Sequence, residues 1–205
     1  MLLDAGILAL LVGAAVGRGR LSGLRDLDLR APAVFVFAAL AKIAVAILGW
    51  RGVTVGILVG GPVNVLAYLL LLVGLLLNRH LWGMRVAAVG VLLNFLVIAA
   101  NGGSMPVDRD LAVRAGNRTL VQLLDSPAYV THKPIHAGTR LRPLADVLPL
   151  PLLFPRPRFF APGSIGDVVV TFGACWLILS ALGAFGLGRR GPSGEAERSQ
   201  GEAAL

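Results

Sequence analysis

The chain has 205 residues, of which 56% are hydrophobic and only 15% charged, with a mean hydropathy of +0.78. A soluble domain carries about 25% charged residues, so the composition excludes an ordinary water-soluble globule and predicts an integral membrane protein. The formal net charge of +8 would suggest nucleic acid in a soluble chain, but here the arginines sit between apolar runs and read as topology signals, so no nucleic-acid partner is expected.

The first apolar run, residues 2–16, has no basic residue before it and Arg18, Arg20, Arg25 and Arg30 soon after. A secretory signal would show the opposite charge order, so a retained helix with its N-terminus outside is expected. Further apolar runs cover residues 33–50, 53–77, 86–100 and 165–187. Each approaches the roughly 20 residues that cross about 30 Å of hydrocarbon, which makes five spans. Arginine in the connections 18–32 and 78–85 and in the tail after Leu187 falls on one side of such a path. The positive-inside rule makes that side cytoplasmic.

The predicted fold class is therefore an all-α integral membrane protein with five transmembrane helices, N-terminus outside and C-terminus cytoplasmic. A long outer loop, residues 101–164, caps the bundle. Residues 1–187 form the membrane domain, and residues 188–205 form a polar cytoplasmic tail of disordered composition. The lone cysteine, Cys175, lies within an apolar run, so no intramolecular disulfide holds the loop.

Within the spans, Lys42 sits near the middle of the second, where a lone charge is costly; a carboxylate partner is expected, with Asp167 and Asp4 the options. The third span holds Gly56, Gly60, Gly61, Pro62 and Asn64, which predict a kink near its middle. Gly56 to Gly60 and Gly13 to Gly17 also fit the small-residue spacing of helix contacts.

The loop divides into three parts. Residues 108–125 suit a short amphipathic helix starting at Asp108, residues 126–142 read as irregular, and residues 143–162 are apolar but carry six prolines. Those prolines forbid a continuous spanning helix, so this part is expected to lie along the outer interface or to dip into the protein.

Three stretches carry candidate chemistry. In NGGSMPV, Asn101 ends the fourth span, Gly102 supplies the left-handed conformation that closes it and Pro106 prevents its resumption. Asn94, seven residues earlier, shares a face with Asn101; such an amide stripe marks either a helix contact or a ligand. In SIGDVVVTFGAC, Ser164 and Asp167 have capping-box spacing, while Asp167, Thr171 and Cys175 continue inward at four-residue steps. In THKPIHAGTRLRPLADV, His132 and His136 are four residues apart with Pro134 between them, and spacing fixes no third ligand, so no metal or other cofactor is assigned. His136 with Asp146 or Asp167 has the residue types of an acid and base.

The opening MLLDAGILALLVG, the LLN followed by NGGSMPV, HAGTRL, LADVLPLP and SIGDV together resemble the bacterial family called domain of unknown function 5317. The resemblance covers nearly the whole chain except the tail. It implies a polytopic membrane protein of a bacterium, located in the plasma membrane, and no activity. By matching position it directs attention to Asp4, Asn94, Asn101, Gly102, Gly103, Met105, Pro106, His136, Thr139, Asp146, Ser164, Gly166 and Asp167. His132 and Lys42 lie outside its pattern.

Three functions follow as expectations. The first is a binding or structural component of a complex, its outer end carrying a polar cluster in which Asp4, Asn101, His136, Asp146 and Asp167 converge. The alternative is a membrane-surface enzyme acting on a lipid or lipid-linked substrate. In it Asp167, His136 and Asp146 are the catalytic groups, and Asn101, Gly102, Gly103, Asn94, Ser164, Thr139 and Asp4 the binding residues. A second alternative is a small transporter using Lys42 and the GGP stretch. The expected partners are the lipid bilayer and either another membrane protein or a second copy of the chain.

Overall fold

The computed structural model describes residues 27–51, 54–156 and 158–183. The first expected span, Asp4 and the tail lie outside them. Among the described residues, four long helices form a bundle: α1 (Pro32–Trp50), α2 (Thr54–Leu77), α3 (Trp82–Ala100) and, late in the chain, α6 (Ile165–Ala181). Two stretches among the described residues, Leu58–Leu77 and Trp82–Ala100, are long and apolar enough to cross a membrane, while Pro32–Val45 and Ile165–Ala181 are shorter apolar stretches. Twenty helical residues rise about 30 Å, the thickness of the hydrocarbon layer.

The helices pair through small residues. A side chain at Gly83 or Gly90 would collide with α6, and one at Gly166 or Gly173 would collide with α3. The two glycines of each helix are seven residues apart, two turns along one face. This seam lets the α3 and α6 backbones approach closely. The α1–α2 contact uses Gly74, against whose open face the Phe35 ring lies. Leu75, Ala87, Ala88 and Val91 form the bundle core, with Phe35, Leu71 and Val170 packed on it. The outer helix faces are apolar and bare: Leu58 is 73% and Phe37 65% exposed, and Val36, Leu40, Ile43, Leu66 and Phe172 all exceed half.

The 101–164 connection is not purely helical, which corrects the all-α expectation. Two short strands, β1 (Met105–Val107) and β2 (His132–Pro134), pair in parallel, with Met105 opposite His132, and Asp146 adds a single parallel bridge to Val107. The helix expected over 108–125 exists as two pieces, α4 (Arg109–Arg114) and α5 (Arg118–Leu124), divided at Gly116. Asp108 caps the first by accepting from the Leu111 N–H, and Asn117 caps the second through the Leu120 N–H. The proline-rich part forms an antiparallel hairpin, β3 (Leu148–Arg156) with β4 (Arg158–Gly163). Proline's fixed φ suits an extended strand, and a two-stranded ribbon has two free edges where a missing N–H costs nothing.

Two apolar clusters seat this cap. Val107, Ala112 and Leu124 hold it together internally, with Leu120, Val121 and Tyr129. Val97 and Ile98 of α3 join Met105 and Ala145 of the cap, backed by Val65, Tyr68, Ile135 and Leu144. The second cluster binds cap to bundle.

Candidate functional site

At the junction of bundle and cap, α3 stops as its sequence requires. Asn101 is the C-terminal capping residue of α3, and Gly102 and Gly103 take φ of +67° and +88°. The Gly103 N–H donates to the Ile98 carbonyl at 2.8 Å, closing the helix end. The same glycines touch α2: a side chain on Gly103 would overlap the Gly61 backbone, and one on Gly61 would overlap the Gly102 carbonyl. Asn64, one turn further along α2, donates to the Gly103 carbonyl at 2.7 Å. The GGP stretch and the NGG stretch are thus the two halves of one joint, and α2 continues helical through Pro62.

Asn101 makes a second joint. Its Oδ1 accepts from the Arg140 N–H and its Nδ2 donates to the Arg140 carbonyl, both at 2.9 Å, while Nδ2 also reaches the Val97 carbonyl at 2.8 Å. Beside it, Thr139 Oγ1 accepts from the His136 N–H at 2.9 Å and His136 Nδ1 accepts from the Gly138 N–H at 3.1 Å. Asn101, Ser104, Lys133, His136 and Thr139 border one cavity of about 220 Å³.

The third joint links α3 to α6. Ser164 and Asp167 form the full capping box, Ser164 Oγ accepting from the Asp167 N–H at 3.0 Å and Asp167 Oδ2 accepting from the Ser164 N–H at 3.1 Å. Asn94 closes the ring: its Nδ2 donates to Asp167 Oδ1 at 2.9 Å, and its Oδ1 accepts from Ser164 Oγ at 2.9 Å. Both carboxylate oxygens of Asp167 are engaged. Asp167 and Thr171 also line a cavity of about 190 Å³ under the hairpin, walled by Leu150, Pro162 and Val170. Both cavities fall below the roughly 300–1,000 Å³ of sites that enclose organic ligands. A larger space of about 450 Å³ lies between Val45 and Ile47 of α1 and the cap residues Leu123, Tyr129 and Val130, with mostly apolar walls.

Between these joints, Asp146 is 8% exposed, and its Oδ1 has no hydrogen-bond partner among the described residues. Its backbone is held on both sides, the N–H donating to the Pro106 carbonyl and the carbonyl accepting from Asp108, each at 3.0 Å. Burial, with the nearby charge of Asp167, pushes its carboxyl up to about 8. Burial and the charge of Lys42 push the His132 imidazole down to about 4, partly opposed by Asp167. His132 stacks on Tyr129 with ring centroids 5.2 Å apart. Lys42 places its Nζ 4.0 Å from the centroid of the Tyr68 ring. The ring face is its near contact, where a cation over an aromatic quadrupole is attracted; Asp167, one of the two expected carboxylates, acts on it electrostatically, and Asp4, the other, lies outside the described residues.

The structure thus gathers Asn94, Ser164 and Asp167 in one network, and Asn101, Thr139 and His136 around another cavity, with Gly102 and Gly103 at the α2 joint. Asp146 is buried between them. His136 is exposed and shares neither a hydrogen bond nor a cavity with Asp167. Tyr68 and Asn64 escaped the sequence reading as site residues. Their signal was present: Gly60, Asn64 and Tyr68 fall at four-residue steps on one face of α2. Among the described residues no group of three or more His, Cys, Asp or Glu side chains is placed to hold a metal ion.

A bundle of apolar helices, closed at one end by a small mixed cap whose polar residues lock to the helix ends, defines the class of protein. The chain belongs to the family of unknown function DUF5317, whose sequence model matches residues 26–179. No curated relative and no solved structure matches the chain.

Proposed function

We propose that the chain is a five-span protein of a bacterial plasma membrane, with its cap on the outer face, serving as a binding or structural component of a membrane assembly. The bare apolar helix faces support the bilayer, since water-soluble surfaces rarely carry contiguous apolar patches of such extent. Orientation is supported by Arg30, Arg79 and Arg85, which border one cavity at the end of the bundle away from the cap.

The observation that carries the function is that the polar groups joining cap and bundle are largely spent on one another, with Asp146 Oδ1, Asn64 Oδ1 and Thr171 Oγ1 the buried exceptions among the described residues. Asp167 is engaged at both oxygens, Asn101 holds Arg140 at both backbone atoms, and Asn64 holds Gly103. Groups so occupied position a surface. A second reading, the lipid-directed enzyme, is favoured by one feature: two carboxyl groups in different surroundings, Asp146 buried with an unpartnered Oδ1 and Asp167 hydrogen-bonded at both oxygens.

Two experiments test these readings. Single cysteines placed in a Cys175→Ser background report sidedness: a membrane-impermeant thiol reagent added to intact cells should label Gln122→Cys in the cap and leave Arg79→Cys unlabelled. The reverse pattern sinks the orientation. Strains carrying Asp146→Asn are then compared with wild type and deletion by lipid mass spectrometry. The structural reading expects the variant strain to match wild type, whereas a match to a lipid change in the deletion strain gives the site to the enzyme.

A further inference from the structure

The end of the bundle away from the cap holds a second polar assembly. The segment before α1 meets the turn between α2 and α3 there. Asn78, fully buried, accepts from the Arg30 N–H at 2.7 Å and donates to the Arg30 carbonyl at 2.9 Å and the Gly74 carbonyl at 2.8 Å. His80 Nε2 donates to the Asp28 carbonyl at 2.9 Å, and Arg85 Nε donates to the Arg79 carbonyl. These contacts bring Arg30, Arg79, His80 and Arg85 around one cavity of about 420 Å³, whose described lining contains no carboxylate.

Three guanidinium groups around one space repel one another unless an anion joins them, and the planar guanidinium fork matches phosphate oxygens two at a time. The volume lies within the range of sites that enclose small organic groups. Trp82, the first residue of α3, is 46% exposed and packs on Trp176 at 4.4 Å and Phe172 at 6.2 Å between ring centroids. Aromatic rings of this kind gather where helices leave the hydrocarbon, at the depth of lipid headgroups. We propose that Arg30, Arg79, His80 and Arg85 form a binding site for the phosphate of an anionic phospholipid headgroup in the leaflet on that side. The site rests on the bilayer reading given above, and it is independent of what the outer cap does.

The test uses the purified full chain in a neutral detergent, titrated with dioctanoyl phosphatidylglycerol, dioctanoyl phosphatidylcholine or inorganic phosphate. The readout is the midpoint of thermal unfolding, followed by tryptophan fluorescence. A saturable rise with phosphatidylglycerol, none with phosphatidylcholine and a markedly weaker response to inorganic phosphate are expected. Arg30→Gln and Arg79→Gln remove guanidinium groups that make no hydrogen bond among the described residues, so the ligand-free midpoint should hold while affinity falls roughly tenfold for each. If one of them lowers that midpoint, the other decides. An equal response to phosphatidylcholine, or unchanged affinity in the variants, overturns the site. Inorganic phosphate binding as tightly as phosphatidylglycerol overturns the lipid as its source. Fractionation without detergent separates the two ideas: a soluble chain overturns the bilayer reading and the lipid source together, whereas a membrane-bound chain indifferent to phosphatidylglycerol overturns the site alone.

Discussion

Replacing Asp146 by Asn should remove a loss of stability that the native protein suffers between about pH 6.5 and 8. The Asp146 carboxyl titrates at about 8 in the folded chain against 3.8 for an ordinary aspartate. A carboxyl raised in this way contributes stability that is complete below about pH 4 and is lost as pH rises through about 8, because the folded state holds a proton the unfolded chain has released. His132 acts oppositely: lowered from 6.5 to about 4, it contributes stability present above about pH 6.5 and lost as pH falls through about 4. Each amounts to one proton, or about 1.4 kcal/mol per pH unit, within its window. Between about pH 4 and 6.5 the two slopes cancel; from 6.5 to 8 Asp146 acts alone, and stability should fall by ~2 kcal/mol. In Asp146→Asn the fall should vanish, leaving the rise due to His132. Unfolding by sodium dodecyl sulfate in mixed micelles, measured for both proteins at half-unit steps from pH 5 to 8.5, gives the difference, in which every other titrating group cancels. A difference that stays flat between pH 6.5 and 8 would refute the reasoning.

Three further outcomes are open to the same assay. Gly103→Ala should destabilise strongly, because its new methyl meets the Gly61 backbone, while Gly102→Ala has open space and should cost only the roughly 1–2 kcal/mol of a left-handed alanine; equal costs would dissolve the α2–α3 joint. Asn101→Ala should cost about 1–3 kcal/mol and speed proteolytic cleavage within residues 136–142, since Arg140 loses its backbone partners. Ser164→Ala should cost about 1–2 kcal/mol through the lost cap, and it should cost less in an Asn94→Leu background, where the shared hydrogen bond is already gone; additive losses would show the two residues to be independent.

How far the sequence could be read depended on the range of the interaction. Expected spans at 33–50, 53–77 and 165 onward match helices that begin or end within a residue, because long apolar runs and a capping box are local signals. The start of α3 was placed four residues late, since Arg85 looked like part of a connection although it lies in the first turn. Strands of three residues, such as Met105–Val107, have no periodicity to detect and exist through pairing with residues about 27 positions away. The helix expected over 108–125 broke at Gly116 because Asn117 offers a second cap there. At the site, Asn94, Ser164 and Asp167 were legible singly as polar residues near one end, but their ring of hydrogen bonds depends on the α3–α6 seam. Glycines at 83 and 90, and at 166 and 173, were the missed clue to that seam, seven residues apart in both helices. For Lys42 the sequence points to a carboxylate, and Asp167 does act on it electrostatically; the ring of Tyr68 is not legible as a further partner because it comes into reach only once α1 lies against α2.

The α3–α6 seam has a consequence for biosynthesis. α3 emerges from the ribosome with its glycine face and the Asn94 amide uncovered, and both wait while the whole cap is made before α6 follows. In the proposed topology that interval coincides with the export of residues 101–164. Until Ser164 and Asp167 arrive, the Asn94 amide has none of the side-chain partners that hold it in the folded chain.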